Sequence, residues 1–280
     1  MNEQNIIHSF LQVLIKICIY GGVQMKKVTA FIGNQQKHAT FEAVCEFGNN
    51  LKAYGDIEFE YVFLKDYRLE YCRGCKICFN KGEEYCPLKD DRDVLMEKMI
   101  HSDGIIFATP NYAFHVSAPM KNLLDRLAFV FHRPRFFGKT FTAIVNQGIF
   151  GGNKIVKYLS NMGENFGFQV TKGCVLTTLE PRTEVAQKKM TREIKKASER
   201  FYKDLISPKT PVPSFLRLML FRMSRTSIKT MLDDHSRDYR YYKEQGWFES
   251  GYYYPVSLGP IKRTAGLIFD FIGKRMAKNS

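Results

Sequence analysis

KKVTAFIGNQQKHAT, residues 26–40, runs from a short, mainly apolar segment through a single glycine into a polar stretch that ends at Thr40. Beyond it, apolar side chains recur at Phe41, Val44, Cys45, Phe47, Leu51 and Tyr54. The period changes from that of a strand to that of a helix, so these residues predict a β-strand, a turn and a helix from Thr40 to about Tyr54. The same rhythm repeats outward. Strands are expected at Ile57–Leu64, Ser102–Thr109, Lys139–Asn146 and Phe168–Leu176, and helices at Asp91–Ile100, Ala118 to about Phe131, Asn153–Asn165 and Glu184–Leu205. SDGIIFAT, residues 102–109, is almost continuously apolar, as a strand covered by helices on both faces must be. The prediction is an α/β three-layer sandwich with a five-stranded, doubly wound parallel sheet.

Two loops at the expected carboxyl edge of that sheet carry chemistry. Gly33 to Thr40 leaves the first strand with a glycine, polar side chains and a threonine expected at the helix N-cap, a pattern that offers backbone N–H groups, a hydroxyl and a positive helix end to a phosphate. An ordinary capped β-to-α turn is the alternative, and Lys37 is either a phosphate partner or a solvated cation. Neither GxGxxG nor GxxxxGK[ST] is present, which weighs against an adenine dinucleotide Rossmann site and a P-loop NTPase. After the third strand, Thr109-Pro110-Asn111-Tyr112-Ala113-Phe114-His115 supplies a rigid loop with an amide and aromatic rings, suited to a planar heterocycle.

The chain has seven cysteines, and Cys72-x2-Cys75-x2-Cys78-x7-Cys86-Pro87 packs four of them into fifteen residues. An odd count with a dense cluster, in 280 residues, points to thiol or metal chemistry in a reducing, cytoplasmic setting rather than to an oxidised secreted scaffold. Four thiolates suit a 4Fe-4S cluster or tetrahedral zinc. Zinc ribbons usually separate two CxxC knuckles by a longer gap, so the cluster is the favoured reading, with unmetallated redox thiols as the alternative. Cys45 and Cys174 read as a helix and a strand residue.

The segment from Lys26 to about Cys174 resembles the NAD(P)H-dependent FMN reductase branch of the flavodoxin-like superfamily, and Cys72 to Cys86 resembles the compact cysteine motif of its iron–sulfur flavoproteins. The resemblance implies that Gly33, Gln35, Lys37 and Thr40 surround the FMN phosphate, with Asn34 and Gln35 standing where the family often has Ser-Pro. It implies that Thr109, Pro110, Asn111, Tyr112 and Phe114 cradle the isoalloxazine, that Gln147, Gly148, Gly151 and Gly152 complete the pocket, and that Lys121, Asp125 and Arg126 match the KxxxDR of the following helix. Cys72, Cys75, Cys78 and Cys86 become the expected cluster ligands. The implied reaction is electron transfer from NAD(P)H through FMN to a flavin, quinone or protein acceptor. Hydride transfer demands no side-chain acid or base, so no catalytic residue is assigned. A homo-oligomer is also implied. A non-enzymatic flavodoxin-like electron carrier is the rival reading.

The resemblance does not cover the ends of the chain. Residues 1–24 form an apolar extension interrupted by His8 and Lys16, with no run long enough for a membrane span, and Met25 is a plausible second start. Residues 25–206 are the expected flavin domain, and 207–280 a mostly helical extension opened by the proline-rich SPKTPVPS. Charge divides unevenly: 21 Lys and Arg against 18 Asp and Glu up to residue 180, then 21 against 10. The basic, aromatic-rich tail suits an anionic membrane surface or an acidic partner, while no nucleic-acid motif accompanies it.

Overall fold

The computed structural model describes residues 25–207 and 210–279; the expectations for residues 1–24, Cys18 among them, fall outside these residues. Strand β1 (Lys26–Ile32) lies inside a parallel sheet, flanked by β2 (Ile57–Phe63) and β3 (Gly104–Pro110). β3 pairs with β4 (Thr140–Gln147), and the fifth position is shared by two short segments, β5 (Gln169–Val170) and β6 (Cys174–Thr177), both paired with β4. The order β2-β1-β3-β4-β5 reverses its direction of winding between β1 and β3, so the chains leaving these two strands part and open a crevice at the carboxyl edge.

Alternation along the strands builds a core on each face. Val28, Ala30, Ile32, Ile106 and Ala108 pack with Val44 and Phe47 of α1 (Ala39–Tyr54). Ile194 and Phe201 of α6 (Glu184–Leu205) join them. Phe31, Ile105, Phe107 and Phe141 face the other way, against Leu95 of α3 (Arg92–Ile100), Leu123 of α4 (Ala118–Arg126) and Leu159 of α5 (Gly152–Phe166). The remaining short helix, α2, is Ile77–Asn80 in the cysteine loop.

Three expectations need correction. The fifth strand is not continuous: a Cβ on Gly173 would stand 2.5 Å from the Ala143 carbonyl oxygen, so the chain presses its backbone onto β4 at a point where only glycine fits and the ladder breaks. The helix from Ala118 stops at Arg126 and tightens into a 3-10 turn over Ala128–Phe131, just ahead of Pro134. The N-cap of α1 is His38 rather than Thr40, which sits buried in the first turn.

Past residue 210 the chain folds into α7 (Phe215–Met231), α8 (Arg237–Glu244) and α9 (Pro260–Asn279) around a separate small core of Leu218, Phe221, Tyr242, Trp247, Tyr252 and Leu258. Phe137 of the sheet domain inserts there, with its ring 5.1 Å from Tyr253 and 6.1 Å from Trp247. Gly173→Val should lower unfolding free energy by about 1–3 kcal/mol, because the added side chain must displace β4 backbone. Urea denaturation reads this directly, and an unchanged midpoint would mean that the edge segment is not held by that contact.

Candidate functional site

Loops from β1, β3 and β4 converge on a cleft of about 580 Å³ at the carboxyl edge. Of the expected residues, Gly33, Gln35, Thr40, Pro110, Asn111, Tyr112, Gln147 and Gly148 line it. The cleft also takes in Asn34, His38, Asn146, Pro119 and Thr178, which motif matching had not assigned to a site.

Ser117 joins the first two loops. Its hydroxyl donates to the Gly33 carbonyl at 2.6 Å, while its backbone N–H donates to Thr109 Oγ1 at 3.0 Å. A Cβ at Gly33 would lie 2.5 Å from that hydroxyl oxygen, so glycine is required for this close approach rather than for a left-handed turn. Thr109 is therefore a fully buried strut behind the cleft and not a lining residue. Lys37 turns from the cleft toward the Phe41 ring, 5.7 Å from its centroid. No side chain caps the start of α1, so its positive end opens toward the cleft beside Ala39 and Thr40.

The second loop makes a tight two-residue turn. Tyr112 and His115 exchange backbone hydrogen bonds of 3.1 and 2.9 Å, and the residues between them, Ala113 and Phe114, take φ of 48° and 63°. Side chains rarely accept this left-handed conformation, and the local strain sits beside the cleft. Phe114 packs on Phe150 with ring centroids 5.3 Å apart, and Asn111 Nδ2 donates to the Phe150 carbonyl at 2.9 Å. Gly151 must be glycine here: its φ is 98°, and a Cβ would meet Phe114 at 2.8 Å. Gln147 Oε1 accepts from the Gly152 N–H at 2.7 Å, folding the third loop back on itself. Thus Phe114, Gly151 and Gly152 shape the rim without lining the cleft. Two polar atoms among the lining residues, Asn34 Oδ1 and Asn111 Oδ1, are buried with no hydrogen-bond partner among the described residues.

A second pocket, of about 420 Å³, gathers all four clustered cysteines: Cys72, Cys75, Cys78 and Cys86 border it with Arg126. None is in a disulfide. Among the described residues, no three metal-ligating side chains are already closed around a point. Burial, and then the neighbouring Cys72 and Cys86 thiols, push the Cys78 thiol above its ordinary pKa. Arg126, which the sequence pattern had placed only as a motif position, is the loop's anchor. It pairs with Asp90, donates to the Glu70 carbonyl at 2.8 Å and reaches to 3.9 Å from Cys86 Sγ. Lys121 and Asp125 of the same motif pair with each other.

Arg133 was invisible to sequence reasoning. Fully buried, it pairs with Glu83 at 3.0 Å and with Asp238 of α8, and donates to the Cys78 carbonyl at 2.6 Å. His132 Nδ1 adds a 2.7 Å contact to Asp238, so neither it nor His115, packed on Tyr158, belongs to the cleft. Ser117 and Arg133 lacked a motif, and Asn34 stood only as a departure from one; an arginine amid Phe and Val was the only signal for Arg133.

A doubly wound sheet with a polar, helix-opened loop and an aromatic loop meeting at its switch point defines a flavodoxin-like protein. The sequence profile described as NADPH-dependent FMN reductase matches residues 26–179, and the chain belongs to that family. Its class is that of NAD(P)H-dependent flavin oxidoreductases, with FMN as cofactor and NAD(P)H as co-substrate. An iron-sulfur flavoprotein of Archaeoglobus fulgidus is 28% identical over 225 residues, 79% of this chain and 99% of the relative. One of Methanocaldococcus jannaschii is 36% identical over 100 residues, 36% of this chain and 51% of the relative. The azoreductase structure from Bacillus anthracis superposes with a TM-score of 0.52 at 16% identity, over 64% of this chain and 100% of that one, a likeness of fold.

The ion pairs around the cysteine loop set an acid limit. Burial alone would raise the Glu83 and Asp90 carboxyls, but Arg135 with Arg133, and Arg126 respectively, hold them below their ordinary values of 4.5 and 3.8. A depressed folded-state pKa contributes stability that is present above the unfolded value and lost as pH falls through the folded one. Stability against cooperative unfolding is therefore expected to fall below about pH 4.5. Arg133→Met should cost up to about 3 kcal/mol at neutral pH, since Glu83 keeps Arg135 while Asp238 is left with His132 alone. It should also flatten the acid limb of the stability profile, and a variant with the parent's profile would show the pairs to be idle.

Proposed function

We propose that the cleft binds FMN with its phosphate in the Gly33–Thr40 loop and its ring against Pro110, Asn111, Tyr112, Gln147 and Gly148. Electrons taken from NAD(P)H then pass to a small-molecule or protein acceptor by way of a 4Fe-4S cluster on Cys72, Cys75, Cys78 and Cys86. The observation that carries the reading is the pair of buried, unpartnered amide oxygens, Asn34 Oδ1 and Asn111 Oδ1, in a cleft whose other walls are a helix N-terminus and an aromatic loop. Buried polar atoms without partners are costly, and the hydroxyl and ring N–H donors of FMN, rather than its phosphate, would be the groups to relieve them.

FMN supplies two-electron acceptance from a nicotinamide and one-electron release, and a 4Fe-4S centre moves single electrons. The chain's part is placement. The first-turn amides of α1, with Thr40, offer donors to a dianionic phosphate. Ser117 fixes Gly33 against the sheet so that these amides keep their direction. Asn111 is held through its Nδ2 by the Phe150 carbonyl, which leaves its Oδ1 as the atom that would accept a donor from a bound ring. The cysteine donor set fits a cluster: four thiols on one pocket, none oxidised to a disulfide, with Arg126 and Arg133 on hand to balance negative charge. The exposed rim of Tyr112, Phe114, Ile149 and Phe150 supports a homo-oligomer in which a second copy shields the cleft.

Anaerobic absorption spectroscopy with flavin, iron and sulfide analysis tests this. About one FMN and about four iron per chain are expected. Cys78→Ser should lose iron and keep flavin. Gly33→Val should do the reverse, since its side chain collides with Ser117. Flavin without iron in the anaerobically purified parent would remove the cluster from the proposal, and an absence of flavin would remove the reading altogether.

A further inference from the structure

The cores and the proposed redox sites leave one large surface without a role, the outer side of the C-terminal helix pair. Helices α7 and α9 lie side by side in the same direction. Lys262 lies over the Phe215 ring, Arg222 pairs with Asp270, and Gly273 abuts Met223. Two glycines set the rotation of α9. A Cβ on Gly273 would stand 3.1 Å from the Met223 backbone, and one on Gly266 3.2 Å from the Arg222 guanidinium, so the glycine side must face α7.

The opposite arc of α9 carries Ile261, Leu267, Ile268, Phe271 and Ile272, spaced to share one side of a helix and all solvent-exposed, with Ile261 at 75% and Phe271 at 66%. Leu216 and Leu220 on α7 are exposed as well. Arg263 and Lys274 border the arc, and Arg275 lies on it at helical spacing from Ile268 and Phe271; all three are exposed, with no acidic partner among the described residues. The two helices hold nine Lys and Arg and a single acid, Asp270, which is consumed inside the pair by Arg222, Arg225 and Thr226.

We infer that this face docks the protein on an anionic lipid bilayer, with α9 lying in the plane of the interface. An aliphatic arc bordered by Lys and Arg suits the boundary between acyl chains and anionic headgroups. Charge decides the occupant. A second copy would bring two strongly cationic faces together, whereas an anionic surface neutralises them. No helix among the described residues is long and apolar enough to cross a membrane, so the contact is peripheral. The inference stands apart from the flavin reading, because its test reads binding and not turnover.

The test is cosedimentation of the full-length protein with phosphatidylcholine vesicles and with mixed phosphatidylcholine–phosphatidylglycerol vesicles. Binding is expected on the mixed vesicles, about tenfold or more weaker on the neutral ones, and reduced by added salt. Phe271→Glu, and separately the double variant Lys274→Glu with Arg275→Glu, should each weaken binding about tenfold while circular dichroism and flavin content stay unchanged. All of these side chains are exposed, so folding does not depend on them. The inference is overturned if the parent fails to bind mixed vesicles at low salt. It is overturned equally if both variants bind as the parent does, which would place lipid affinity elsewhere in the chain. Conversion of an oligomer to monomers by Phe271→Glu would identify the face as a contact between copies and overturn it too.

Discussion

Parallel pairing of β1 with both β2 and β3 is the constraint from which the rest follows. Parallel neighbours cannot be joined by hairpins, so each connection crosses the sheet as a helix, and every strand delivers its outgoing loop to the same edge. Because the winding reverses between β1 and β3, the loops after these strands are pushed apart there. A crevice is left that the backbone itself cannot fill. The phosphate-type loop and the aromatic loop face one another because of this topology, and Ser117 then locks their separation through the Gly33 carbonyl.

The cysteine loop meets a different demand. A long excursion between β2 and α3 packs Tyr67, Leu69, Cys78 and Phe79 against the core and is fixed further by charge and hydrogen bonds. Asp90 and Asp91 accept from the backbone N–H groups of Glu70 and Arg68 at 2.8 and 2.7 Å, closing the base of the loop. Arg126 secures one side and Arg133 the other, and the Asp238 partner of Arg133 comes from the C-terminal extension. The extension is thus coupled to the cysteine loop by one buried guanidinium, which also holds the Cys78 carbonyl. Burying such a network is worthwhile only when each charge is matched, and here Glu83 and Asp238 together answer Arg133.

The periodic signal was strong enough to place the long elements of the sheet domain. Glu184–Leu205 is found at the expected residues, and the strands at Gly104 and Thr140 lie within two residues of expectation. The misses share a cause. Gly173 breaks the edge strand because of where the Ala143 carbonyl lies, and a lone glycine in an apolar run does not announce such a contact. Lys37 carries the right charge at the right place in the loop but is drawn to Phe41. Thr109 matches a ring-binding motif yet serves as an internal strut, a role set by Ser117 eight residues later.

By itself the sequence determined the order of strands and helices, the edge at which the functional loops emerge and the grouping of four thiols, since each depends on residue spacing within short stretches of chain. Tertiary structure alone decided which lining groups face the cleft, how Arg126 and Arg133 hold the cysteine loop, and which side of α9 is turned outward. Those outcomes depend on contacts between residues far apart in the chain, such as Arg133 with Asp238 or Gly273 with Met223. Local periodicity carries no record of which distant side chain will arrive as a partner.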